Sequence, residues 1–205
     1  QSWCGVVINE WLAHTDDPVE DFVELYNAST QSVNLTGFWL SDDPATNKFR
    51  IPDGTVLPPG GHLVWTQSQL GFALDAAGEM IVLRAPAGRT IVDMVGFGAS
   101  ANGVARGRTP DGAPDCTDLA EPTPGAPNAE RRIWPVVINE IMYHPITEDD
   151  GDEFIELHNH GTHAVDLSGW RIRGGISFNI PPGIRLSPGG YLVVAADAAR
   201  MRSRC

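Results

Sequence analysis

Two acidic clusters are the first residues whose types and spacing suggest chemistry. Asp16, Asp17, Glu20 and Asp21 form one, and Glu148, Asp149, Asp150, Asp152 and Glu153 form the other. Each stands at the start of a Phe-x-Glu-Leu segment. Carboxylates gathered on one loop can supply the roughly six to eight oxygens that calcium prefers. Asp16, Asp17, Glu20, Asp21, Glu148, Asp149, Asp150 and Asp152 are therefore candidate calcium ligands, and calcium is the one cofactor considered. The full EF-hand pattern is missing, and a solvated acidic turn accounts for either cluster alone. Their recurrence keeps the calcium reading alive.

Other constellations are weaker. Glu10 with Glu24, and Glu140 with Glu156, can be read as the paired carboxylates of a glycosidase. They sit at repeated framework positions, so the expectation is a structural glutamate bonded to backbone or to an arginine such as Arg50 or Arg108. His158, His160 and His163 lie close together, and two nearby imidazoles can bind a transition metal. The first half has Tyr26, Ala28 and Gln31 there, so a metal site is not expected. No Gly-x-Ser-x-Gly elbow, P-loop or dinucleotide fingerprint is present, and Gly96-Phe97-Gly98 lacks a third glycine. Catalytic and cofactor-binding residues are accordingly expected to be none. Asn27-Ala28-Ser29 and Asn34-Leu35-Thr36 match the glycosylation triplet, which chance produces often. Trp3, Trp11 and Trp39 can stack on a sugar if exposed, but packing between sheets is the expected fate of most of them. Cys4, Cys116 and Cys205 form no Cys-x-x-Cys pair; Cys4 and Cys116 are the disulfide candidate, with three free thiols as the alternative.

The elements that must position these residues come in two sets. Val6-Val7-Ile8-Asn9-Glu10 recurs as Val136-Val137-Ile138-Asn139-Glu140. Asp21-Phe22-Val23-Glu24-Leu25-Tyr26-Asn27 recurs as Glu153-Phe154-Ile155-Glu156-Leu157-His158-Asn159. Asn34-Leu35-Thr36-Gly37 returns as Asp166-Leu167-Ser168-Gly169, and Pro59-Gly60-Gly61 as Pro188-Gly189-Gly190. Four blocks in one order, about 130 residues apart, make two copies of one domain, expected over 1–130 and 131–205. Arg131–Pro135 reads as the linker. The second copy stops soon after its fourth block and lacks counterparts of two or three strands. The expectation is that the native protein is processed or trimmed before Gln1 and continues past residue 205.

Composition fits many short strands. Gly and Pro number 22 and 16 of 205 residues, hydrophobic residues are 42%, and apolar residues alternate or come in short runs. In Phe22–Tyr26 a period of two puts Val23 and Leu25 on one face and Phe22, Glu24 and Tyr26 on the other. Helical periodicity is confined to Ala195–Arg204. The expected fold is all-β, a β-sandwich in two tandem copies, the second incomplete. The net charge is −12, with 17 acidic and 6 basic residues in 1–130 and 9 and 8 in 131–205. That balance argues against nucleic acid, which needs clustered Lys and Arg. No apolar run approaches the roughly 20 residues of a spanning helix, so no membrane insertion is expected.

The ordered blocks resemble the lamin tail domain, an immunoglobulin-like β-sandwich. The carrying residues are Ile8-Asn9-Glu10, Phe22–Asn27, Leu35-Thr36-Gly37, Pro59-Gly60-Gly61 and Thr123-Pro124-Gly125-Ala126-Pro127-Asn128, with Ile138–Met142, Glu153–Leu157, Asp166–Trp170 and Pro188-Gly189-Gly190 in the second copy. The second copy is similar to bacterial versions beside kinase domains related to spore coat protein H, and the first to versions in large secreted bacterial proteins. The resemblance implies a secreted or cell-surface bacterial protein and carries no catalytic residues. Nuclear lamins use this domain in scaffolding, but no coiled-coil heptads precede it here. The resulting expectation is a non-catalytic structural, adhesion or assembly module. Its partner is a protein met by a strand edge or surface, self-assembly included, by β-augmentation. The alternatives are an accessory domain of a larger kinase or hydrolase, or a carbohydrate-binding module with a glycan as ligand.

Overall fold

The computed structural model describes residues 5–204, without the side chain of residue 204. The chain separates into two compact units, residues 1–132 and 133–205. In unit 1 the strands are β1 (Val6–Leu12), β2 (Phe22–Asn27), β3 (Val33–Asn34), β4 (Trp39–Ser41), β5 (Phe49–Arg50), β6 (Val56–Leu57), β7 (His62–Thr66), β8 (Met80–Arg84), β9 (Ile91–Gly96), β10 (Arg106–Arg108) and β11 (Cys116–Asp118). A one-turn helix, α1 (Gln67–Leu70), follows β7 and is held by a capping box between Thr66 and Gln69. One sheet runs β11-β10-β1-β2-β7 and the other β5-β4-β8-β9, with β3 and β6 paired separately. All the pairings are antiparallel.

The period of two decides what lies between the sheets. Ile8, Trp11, Val23, Leu25 and Trp65 from the first sheet meet Leu40, Ile81, Leu83 and Val95 from the second, with Phe38, Ile51 and Phe97 beside them. Each such buried side chain contributes on the order of 1.5–3 kcal/mol. The first sheet has a second apolar layer on its far side, where Leu12 and Phe22 pack on Ala105 and Leu119. Its outer face is therefore covered too, by Leu119 and the closing segment that holds Ala129, while β10 and β11 extend the sheet itself.

Unit 2 repeats the first seven strands. They are β12 (Val136–Met142), β13 (Phe154–Asn159), β14 (Val165–Asp166), β15 (Arg171–Ile172), β16 (Phe178–Asn179), β17 (Arg185–Leu186) and β18 (Tyr191–Ala195), with a helix α2 (Ala198–Arg204) after them. The sheet β12-β13-β18 matches β1-β2-β7, and the pairs β14-β17 and β15-β16 match β3-β6 and β4-β5. The register matches as well: Ile138 faces Leu157 as Ile8 faces Leu25, and both first strands bulge before their glutamate. Among the described residues nothing in unit 2 corresponds to β8, β9, β10 or β11. Its core is Ile155, Leu157, Leu167, Ile180 and Leu186, the counterparts of one end of the unit 1 core. The short helix falls in the alanine- and arginine-rich stretch where helical periodicity was expected.

Candidate functional site

The bulge in β1 is the local event that builds the main polar cluster. Ile8 pairs with Leu25 and Glu10 with Glu24, so one extra residue, Asn9, stands between two inward-facing apolar positions, Ile8 and Trp11. Asn9, Glu10 and Glu24 are all fully buried. Asn9 Nδ2 donates to Glu24 Oε1 at 3.1 Å and to Asp111 Oδ1 at 3.0 Å, while Asn9 Oδ1 accepts from the Gly112 N–H at 3.1 Å. Glu10 takes both its bonds from Thr123, Oε1 from the backbone N–H at 2.8 Å and Oε2 from the hydroxyl at 3.0 Å. Glu24 Oε2 accepts from the Gly125 N–H at 2.7 Å. Asn128 donates through Nδ2 to the carbonyls of Asn9 and Arg108, and its N–H reaches Asp111. His62 Nε2 lies 3.1 Å from the other Asp111 oxygen.

The electrostatics follow from burial. Desolvation outweighs the Thr123 hydrogen bonds and lifts the Glu10 carboxyl to about 7. Burial pushes Glu24 up in the same way, against the opposing bonds from Gly125 and Asn9. Beside them Arg108 donates to the Ile8 carbonyl at 2.9 Å and to Ala113 and Pro114, and pairs with Asp93 at 3.2 Å. Backbone passes so close that a Cβ on Gly107 would lie 2.6 Å from the Asn9 carbonyl oxygen. These carboxylates fasten the closing segment 123–128 to the sheet. They have the geometry of a structural clamp, not that of a glycosidase acid and nucleophile across an open cleft. The expected backbone bonds to Glu10 and Glu24 are present. The expected arginine partners are not: Arg108 binds Asp93 and carbonyls, and Arg50 pairs with Asp53.

The two acidic clusters are dispersed. Asp16 accepts from Asn102, Glu20 caps Ser68 through its N–H and hydroxyl, and Asp21 holds Thr15 Oγ1 at 3.0 Å and the Leu74 N–H at 3.1 Å. The Thr66 hydroxyl, then the hydroxyl and N–H of Ser68, keep Glu20 below the ordinary carboxylate range. Asp17 is an exposed turn residue. In unit 2 a 3-10 turn (Asp150–Asp152) carries the cluster. Asp149 accepts from the Gly151 N–H at 2.9 Å and from Arg200 at 2.5 Å, and Asp152 from Thr147 and from Arg200 at 2.7 Å. The Gly151 N–H and the Arg200 guanidinium lower the Asp149 carboxyl. Glu148 stands exposed with φ of 55°. Among the described residues no group of three or more His, Cys, Asp or Glu is arranged to hold a metal ion. The calcium expectation thus meets carboxylates already engaged by hydroxyls, backbone and, in unit 2, a guanidinium.

The remaining candidates have structural places. The His158 ring stacks on Tyr191 at 4.3 Å and lies 6.4 Å from that of His160, whose Nε2 meets the Trp134 carbonyl. His163 touches Thr162. Trp11 is core, and Trp39 turns its indole N–H to the Pro86 carbonyl; Trp3 lies outside the described residues. Asn27 is fully buried, with Nδ2 on the carbonyls of Gln31 and Leu57, which removes it as a glycosylation acceptor. Asn34 Oδ1 accepts from the Thr36 N–H. Cys116 is a half-buried free thiol raised by burial, and Cys4, its candidate partner, is outside the described residues.

Unit 2 presents the opposite of a clamp. Ile138 and Ile141, the counterparts of Ile8 and Trp11, are 53% and 56% exposed against 0% and 1%. Trp170 is 42% exposed where Phe38 is 1%. Asn139 still donates to Glu156, at 2.8 Å, but Glu140 is exposed and Glu156 half-buried. A groove of about 640 Å³ opens between Ile138, Ile141, Ile172 and Phe178.

The two units find their match in one family model, the Lamin Tail Domain, over residues 2–99 and 132–203. The chain belongs to the lamin tail domain family. Neither a curated protein nor a solved structure matches it. The lamin tail domain is a non-catalytic module with an immunoglobulin-like fold, and each unit carries one matched segment. The first segment ends after β9, so the closing strands and the Thr123–Asn128 turn lie beyond the match. The Thr123–Asn128 block, one of those that carry the resemblance, thus falls outside the matched segment, and neither it nor Asp111 has a counterpart among the described residues of unit 2. The one local signal for the clamp is the Asn-Glu doublet, which interrupts alternation in both lamin tail copies.

Proposed function

We propose that this chain is a structural, adhesion or assembly module of a secreted or cell-surface bacterial protein, performing no catalysis of its own. The observation that carries the reading is the contrast within one family. In unit 1 every framework carboxylate is engaged in closing the sandwich, and in unit 2 strand edges and apolar side chains at the same positions face outward. A module so built acts by contact, with another chain adding to its exposed strands. The acidic surface of unit 1 favours solubility and selects against polyanionic partners. Sedimentation velocity on the full chain over a range of micromolar concentrations, together with capture on immobilised cell-wall polymer and a glycan array, tests it. Concentration-dependent association or polymer capture supports the proposal. A strict monomer that binds none of these surfaces overturns it.

A further inference from the structure

Lys48 is the only lysine in the chain; every other basic residue apart from histidine is an arginine. An arginine keeps its proton in a protein, whereas a lysine amine can lose it and become a nucleophile. In unit 1 the fold delivers this amine to Asp42. β4 and β5 pair Trp39 with Arg50 and Leu40 with Phe49, so the turn joining them carries Asp42 at one end and Lys48 at the other. That turn is pinned. Asp43 Oδ1 accepts from the Ala45 N–H at 2.7 Å, and Arg84 reaches from β8 to the carbonyls of Pro44 and Thr46. Lys48 Nζ lies 2.5 Å from Asp42 Oδ1. That oxygen is closed to solvent and has no hydrogen-bond partner, so the nitrogen touches it out of the alignment of an ordinary hydrogen-bonded pair. The Asp42 side chain is 8% exposed and that of Lys48 41%, so the amine reaches in from the surface. Its nitrogen also lies over the Phe72 ring, 5.5 Å from the centroid, and Phe72 packs on the core. Glu79, just before β8, takes the Asp75 N–H at 2.8 Å. Burial, then the charges of Asp42 and Asp75, push its carboxyl above the ordinary value, against that bond and the pull of Lys48. It therefore carries a proton more readily than a solvated glutamate.

We propose that Lys48 and Asp42 join through an amide between Nζ and Cγ, a covalent cross-link that closes the 42–48 turn. The resting pair is charged, because contact with Asp42 and the charges of Asp42, Asp43 and Glu79 hold the ammonium. Reaction begins when the ammonium passes one proton to the Asp42 carboxylate, leaving a neutral amine beside a neutral acid. Nζ then attacks Cγ and the C–N bond forms. The hydroxyl on Cγ takes a proton from Glu79 and leaves as water, breaking the C–O bond, and Glu79 recovers a proton from the amide nitrogen. One ammonium and one carboxylate give one amide and one water, with no oxidant and no further reactant. Held in contact, the pair has the effective concentration of an oriented intramolecular reaction, about 10⁵ M or more. The cross-link ties β4 to β5 at the edge of the second sheet, whatever the module binds.

The test is the intact mass of the purified full chain, followed during incubation at neutral pH. The expected mass is lower than that of the sequence by one water. Trypsin should then fail to cut the denatured chain after Lys48, and fragment spectra should place the lost water between residues 42 and 48. Lys48→Arg keeps the charge without the nucleophile and should restore the full mass, as should Asp42→Ala. Glu79→Gln, with an unchanged circular dichroism spectrum, should slow the loss of water by about 100-fold or more. A chain at full mass that trypsin cuts after Lys48 overturns the proposal and leaves an ordinary ion pair. Water lost instead at Asp53-Gly54 or Asp111-Gly112, as a cyclic imide that hydroxylamine opens, overturns it as well. A linkage that Glu79→Gln does not slow overturns the proton path through Glu79.

Discussion

Strands β1 and β12 begin with the same five residues, Val-Val-Ile-Asn-Glu, form the same bulge and pair with their neighbours in the same register. One is buried at all but one position, and the other is exposed at five of seven. The difference lies in what covers them. β1 has β8 and β9 over its inner face, β10 paired along its edge, and Leu119 and the closing segment over its outer face, while among the described residues β12 has none of these. A strand's own sequence sets its pleat, its bulge and which side chains share a face. Its burial, and the charge state of the glutamates on it, are decided by elements about a hundred residues away.

The largest test of that comparison is a pair of truncations at matching positions. Trp11→Ala should destabilise unit 1 by about 3–5 kcal/mol, since a fully buried aromatic leaves a cavity between two packed sheets. Ile141→Ala should change unit 2 by no more than about 0.5 kcal/mol, because half its surface already meets water. Urea unfolding followed by hydrogen exchange, which reports each unit separately, measures both. Equal costs would mean that unit 2 is covered in solution and would break the comparison.

The second test is pH. Glu10 is lifted from 4.5 to about 7 by burial, so between those values the folded state binds more protons than the unfolded chain. Stability of unit 1 therefore falls as pH rises from about 4.5 to 7, by on the order of 3 kcal/mol. Glu24, raised by the same cause, adds to the slope in the same direction. Glu10→Gln should flatten the dependence, and Glu140→Gln, on an exposed strand, should leave the profile of unit 2 unchanged. A stability that climbs over this interval would show that Glu10 is held as a well-solvated anion and that the clamp is not closed.

Much of this was legible in the residues and part was not, for a physical reason. Repetition and period two expose the strands, because side chains of one strand are two residues apart wherever the strand lies. The strands without counterparts in the second copy are undercounted this way, two or three being expected where β8, β9, β10 and β11 all lack one among the described residues. The clamp could not be read, because Glu10 and Glu24 are satisfied by N–H groups of Thr123 and Gly125, and any residue but proline offers an N–H. Of the two partners expected for those glutamates, backbone or arginine, the structure has the backbone: Arg108 sits nearby yet is taken up by Asp93 and three carbonyls. The partners of the acidic loops are hidden in the same manner. Carboxylates crowd in sequence there; in unit 1 each leans on a different neighbour, and in unit 2 Asp149 and Asp152 share Arg200.

A third test asks what the two units share. Asn27 and Asn159 are both fully buried, and each donates to two carbonyls, Gln31 and Leu57 in one case and His163 and Leu186 in the other. Each also accepts from a backbone N–H two residues on, Ser29 or Gly161. This end of the sandwich is complete in both copies. Asn27→Ala and Asn159→Ala should therefore cost similar amounts, about 1–3 kcal/mol, because stranded carbonyls lose their partners in either unit. A much smaller cost in unit 2 would mean that its covered end is looser than its packing shows, and the contrast between units would extend over the whole sheet.

The smallest effect is expected at the acidic turn of unit 2. Arg200 reaches from α2 to Asp149 and Asp152, and the two carboxylates in turn hold its guanidinium charged. The pair lies at the surface, where solvent and side-chain entropy offset most of the attraction. Arg200→Ala should lower the melting temperature of unit 2 only slightly, and the difference should vanish at ionic strength on the order of 1 M, where screening is complete within a few ångströms. Chelator should leave the melting temperature of the unaltered chain where it is, since a calcium ion would have to displace the guanidinium before it found two carboxylates free. If chelator instead lowers it, and calcium restores it, the loops gather around an ion that outcompetes Arg200. Unit 2 would then have a second source of order, independent of whatever covers its open sheet.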